Sequence, residues 1–168
     1  IMPKNPLYGQ NKADHEVHRA VGQALLVDPA GSDGATGSPT LTLTASESGN
    51  IYFINIASNT VYIELPSLAG GNDGLQYKFI LHALSDNEAT KDFVLQSAAD
   101  SEDIMGHIFE DQAALTEISS DTSMVQWDTS DGAATVGDWI EVVSFDGHWY
   151  ATGVANTAAA IDIADARA

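Results

Sequence analysis

The stretch GDWIEVVSFDGHWYATGV, residues 137–154, constrains this chain more than any other. Two apolar runs flank Asp146-Gly147, a pair favoured in two-residue type I′ turns because both central positions need φ > 0. A hairpin with that turn pairs Phe145 with His148, Val143 with Tyr150 and Glu141 with Thr152. Alternation along each strand then puts Ile140, Val142, Trp149 and Ala151 on one face. Trp139, Val143, Phe145, Tyr150 and Val154 take the other, interrupted by Glu141, Thr152 and His148. The first face reads as core. The second is too apolar for solvent alone and too polar for a second core, which suits contact with another chain. Trp139, Val143, Tyr150 and Val154 are therefore expected at a subunit interface.

From Thr40 onward the same texture recurs. Short β-rich runs return about every ten residues between turn residues, as in a sandwich or barrel. Thr40–Ala45 alternates as TLTLTA. Ile51–Ile56 is apolar on both faces, which marks a central strand. Thr60–Leu65 sends Val61, Ile63 and Leu65 inward, and Leu75–Leu84 puts Leu75, Tyr77, Phe79 and Leu81 on one side. Asp92–Ser97 and Met124–Trp127 read as two further strands. The pattern is weakest between Ala98 and Ser120, where Ile104, Ile108, Leu115 and Ile118 fit short strands or a helical turn. Nine or ten strands with little helix make an all-β domain over residues 39–155.

Residues 1–38 read as an arm and linker. Pro3, Pro6 and Gly9 crowd its start. Ala13 to Val27 is expected as a short amphipathic helix, with Val17, Val21, Ala24 and Leu25 on one face and Asp14 as its cap. DPAGSDGATGSP, residues 28–39, is a linker by composition. An arm that orders on a partner would anchor through Pro6, Leu7 and Tyr8, with Lys12 and Arg19 nearby. The alanine-rich tail, residues 156–168, fits a short helix or an extended segment on a neighbour.

Charge narrows the partners. Six bases stand against 24 acids, a net −18. Residues 1–19 carry Lys4, Lys12 and Arg19 against Asp14 and Glu16, a sum of +1, so the remainder carries −19. Such a body repels phosphate backbones, and direct nucleic-acid binding is not expected. No run reaches the ~18 apolar residues of a membrane helix, so no membrane contact is expected either. With no cysteine, disulfides and thiol chemistry are excluded.

No residue set reads as catalytic, and no cofactor or metal is expected. His15 and His18 lack a third ligand and the zinc-protease spacing. The acids around Met105-Gly106-His107, and Asp128 with Asp131, do not fit an EF-hand loop. There is no nucleophile elbow and no phosphate-binding glycine loop. The aromatics Tyr52, Tyr62, Tyr77, Trp127, Trp139, Trp149 and Tyr150 fit either a sugar-binding groove or a core with an oligomer interface, and the interface is the favoured reading.

Two passages resemble tailed-phage virion proteins. Residues 43–81, LTASESGNIYFINIASNTVYIELPSLAGGNDGLQYKFIL, are similar to a series of strand, short turn, strand ending in Leu-Pro, glycine loop and strand. Residues 137–160 resemble the closing GDW…WY-x-TG hairpin of the same proteins, and NPLYGQNKAD resembles their N-terminal arms. Members are often capsid decoration (cement) proteins, and similar segments occur in fibres. The resemblance implies a jelly-roll-like antiparallel β-sandwich with an extended N-terminal arm, commonly a homotrimer. It implies binding to the major capsid protein on the outer surface of the head, across capsomers. The arm residues Pro6, Leu7, Tyr8, Lys12 and Arg19 would then meet the shell. A receptor- or glycan-binding fibre module is the alternative.

Overall fold

The computed structural model describes residues 23–28, 33–35, 38–84, 91–99, 101–111, 114–119, 122–127, 134–157 and 160–164. Within them the chain forms twelve strands in two packed sheets, an all-β sandwich. The first six strands are β1 (Ala24–Val27), β2 (Leu41–Thr42), β3 (Ile51–Asn55), β4 (Val61–Glu64), β5 (Gln76–Ala83) and β6 (Phe93–Gln96). They alternate between the sheets. Each strand therefore returns to its own sheet after one full turn and lies parallel to the strand before it. Ala24 pairs with Ile51, and Ile51 with Lys78, each 27 positions further on.

The other six are β7 (Ile104–Glu110), β8 (Ala114–Ile118), β9 (Met124–Trp127), β10 (Trp139–Phe145), β11 (His148–Ala155) and β12 (Ile161–Ala164). β7 joins the first sheet but leaves room for two strands beside β5. β10 and β11 fill that room, giving the order β1-β3-β5-β10-β11-β7-β8. β9 and β12 extend the second sheet to β12-β9-β6-β4-β2.

Four expectations change. The sheets are mixed, with five parallel pairings among ten, and not antiparallel throughout as in a jelly roll. Alternating hydrophobicity reports which way side chains point, not the direction of the neighbouring strand. Ala24–Val27 is a strand, not the end of a helix: Leu25 and Val27 face the core while Leu26 faces out. Residues 13–22 of the expected helix lie outside the described residues. The sandwich also exceeds 39–155, because β1 comes from the expected arm and β12 from the expected tail. That tail strand pairs with β9 of its own chain.

One core joins the sheets. Tyr52 stacks on Phe79 at 5.5 Å, Phe79 meets Phe93 at 5.8 Å, and Phe93 meets Trp127 at 5.3 Å. This line of rings runs from β3 and β5 across to β6 and β9. Tyr77 meets Trp149 at 5.9 Å and donates a hydrogen bond to the Thr44 carbonyl. Burial pushes the Tyr77 phenol well above its ordinary pKa. Val61, Ile63, Leu65, Tyr77, Phe79 and Leu81 are all buried, as their alternation requires.

Candidate binding face

The β10–β11 hairpin has the expected register. Phe145 faces His148, Val143 faces Tyr150, and Glu141 faces Thr152. Asp146 and Gly147 have φ of 50° and 79°, the two positive values that a type I′ turn demands. Two buried anchors fix the hairpin. Asp138 accepts hydrogen bonds from the Thr135 amide and hydroxyl, at 2.9 and 2.7 Å, and from the Asn156 amide at 3.0 Å. Ser144 donates to the Asn72 carbonyl and accepts from the Leu75 amide. At the tip, the Asp146 amide donates to Asp73.

Its place in the fold is central. β5 lies on one side and β7 on the other. Contact with β7 requires glycine: a Cβ on Gly106 would lie 1.9 Å from the Ala151 carbonyl oxygen. Ile140, Val142, Trp149 and Ala151 are buried. The expected interface residues all point away from the core. Val143 and Tyr150 are exposed, and Trp139 and Val154 are half-buried. Lys78 Nζ lies 4.1 Å from the centre of the Trp139 ring, a cation–π contact between neighbouring strands.

Neighbouring strands add residues that sequence reasoning missed. Trp139 is level with Ile80 of β5 and Val154 of β11. Ile80 continues to Phe53 and Leu26, while Val154 continues to Phe109 and Leu115. One outward apolar row therefore crosses all seven strands. Leu26, Phe109 and Leu115 are each more than half exposed. The available signal was an apolar residue at an outward position in each strand, such as Phe53 and Ile80. It becomes a row only when the register is known.

The next row is polar at its middle. Lys78 lies 4.0 Å from Glu141, and Gln76 Nε2 donates to Glu141. A shallow hollow of about 170 Å³ opens here, lined by Gly49, Asn50, Ile51, Gln76, Lys78 and Glu141. It holds one carboxylate.

Other candidates disperse. Pro6, Leu7, Tyr8, Lys12 and Arg19, with His15, His18, Asp128 and Asp131, lie outside the described residues. The acids near Gly106 do not form a loop. Glu102 is buried, where one oxygen accepts from the Ser67 hydroxyl and the Leu68 amide, and Glu110 sits at the far end of β7. Among the described residues no group of three or more His, Asp or Glu is placed to hold a metal ion. Tyr52, Tyr77, Trp127 and Trp149 are core residues, which removes most of the aromatic set from any sugar-binding groove. No known family model matches the chain, and neither the curated proteins nor the solved structures give a match.

Proposed function

We propose that this chain is a structural virion protein, a decoration or cement protein that binds the outside of a phage head and stabilises it. It acts by contact and transforms no molecule. Copies meet through the outward face of β10–β11, and the near-neutral N-terminal segment grips the major capsid protein. The observation that carries this reading is the outward apolar row through Trp139 and Val154, on the central strands of an otherwise acidic body. The resemblance of residues 43–81 and 137–160 to decoration proteins supplies the larger partner. A clamp across capsomers favours the closed shell by mass action, and several arms per oligomer raise their effective concentration. Burial of Tyr52, Tyr77, Trp127 and Trp149 favours this role over glycan binding.

The test uses the full chain and purified heads of the parent phage. The full chain should co-sediment with heads. A version lacking residues 1–22, which keeps β1, should stay folded by circular dichroism and lose binding. Failure of the full chain to bind heads, or glycan-array binding in its place, overturns the proposal. Undiminished binding by the shortened chain overturns the arm's role.

A further inference from the structure

We propose that the contact between copies is the whole outer face of the seven-stranded sheet, from edge strand β1 to edge strand β8. The hairpin is only its middle. This deepens the function proposed above and rests on its claim that copies of the chain meet. Two observations identify a second copy as the occupant.

The first is charge. The outward positions of the seven strands carry Glu117 and Glu141 as acids and Lys78 as base, a sum of −1 on a chain of net −18. Glu141 is matched locally by Lys78, 4.0 Å away, and Glu117 lies on the edge strand β8, level with His107. A face that met a basic partner would keep its carboxylates for that partner. A face stripped of them in so acidic a chain suits a partner that is itself strongly acidic, and a second copy is such a body.

The second is extent. Seven strands at the usual spacing span about 29 Å, and four outward levels along β10 add about 20 Å, so the face offers roughly 600 Å² per copy. Doubled across a contact, that reaches the lower end of the ~1,200–2,000 Å² typical of stable interfaces. The hairpin alone, two strands wide, falls well short. Leu26 and Leu115, 59% and 54% exposed, lie on the two edge strands where an isolated subunit would leave them wet.

The test exploits the tryptophans. Trp127 and Trp149 are already buried, while Trp139 lies in the row. Sedimentation velocity of the full chain at micromolar concentration should show an oligomer. Dilution should red-shift the emission as Trp139 is uncovered. The double substitution Phe109→Asp with Leu115→Asp, on exposed positions outside the hairpin, should leave the circular dichroism spectrum unchanged and weaken association at least a hundredfold. Gln126→Asp, on the five-stranded sheet, should leave association as it is. An oligomer that survives the double substitution overturns this inference but leaves the decoration role standing, provided that heads are still bound. A wild-type chain that stays monomeric at 100-fold higher concentration overturns both this inference and the claim that copies meet.

Discussion

Strands β1–β6 and β7–β12 share one core yet are assembled differently. Within the first six, every pairing is parallel, and each partner lies a full turn of chain away. Within the last six, only β7 on β11 is parallel, and the tight Asp146-Gly147 hairpin supplies the centre of the larger sheet. The coil of the first half would leave an open side at β5 and β6. Antiparallel β10 and β9 close onto those two strands. The halves thus need each other: one supplies a template, the other fills it. All three tryptophans lie in the second half, so indole emission follows that half, while far-UV ellipticity follows both.

The largest effect is expected where the second half is tightest. In Gly106→Val the new side chain meets the Ala151 backbone, and φ of +147° already strains any residue with a Cβ. A loss of about 4 kcal/mol or outright failure to fold should follow, measured by urea unfolding. Retained stability would mean that β7 does not lie against β11. Next comes the coil. Ile63→Ala empties a fully buried position on β4 and should cost about 3 kcal/mol. Emission and ellipticity should still change at one shared urea concentration, since the aromatic line crosses both halves. Two separate midpoints would divide the molecule at the junctions of β5 with β10 and β6 with β9.

Smaller effects test the local devices. Gly147→Ala at φ 79° should cost about 1 kcal/mol and leave the fold intact, because the register is also held by β5 and β7. A larger loss would show that the turn, rather than the neighbouring strands, sets the centre of the sheet. The smallest shift belongs to the surface of the coil. The Lys91 ammonium, 2.8 Å from Asp33, and a hydrogen bond from the Thr60 amide hold the Asp33 carboxyl below its ordinary pKa. A carboxyl depressed by folding stabilises above its unfolded value, and the contribution is lost as pH falls through the folded value. Asp33→Asn should therefore lower the urea midpoint slightly at neutral pH and not at all in strong acid. High salt should reduce the neutral-pH difference by screening Lys91.

Legibility followed the hairpin turn and not the two halves. Glu141 opposite Thr152 and Val143 opposite Tyr150 were readable because one turn fixes every pair behind it. Trp139 and Val154 were recognised as outward for the same reason. Phe53, Ile80, Phe109 and Leu115 were not joined to them, since they lie on strands whose order no turn announces. The strand at Ala24–Val27 was hidden because Val17, Val21, Ala24 and Leu25 also satisfy helical spacing. Only its parallel pairing with Ile51–Ile54 decides the matter.

The sequence by itself determined where side chains point. Alternation and the Asp146-Gly147 pair are local, so the buried and outward sets of β5, β10 and β11 follow from the order of residues alone. The tertiary structure decided which strands are neighbours, in what direction they run, and that the final hairpin sits at the centre and not at an edge. Those choices join residues 22 or more positions apart in the coil. They are settled by the shared core and by close backbone approach at Gly106, which no short window of residues contains.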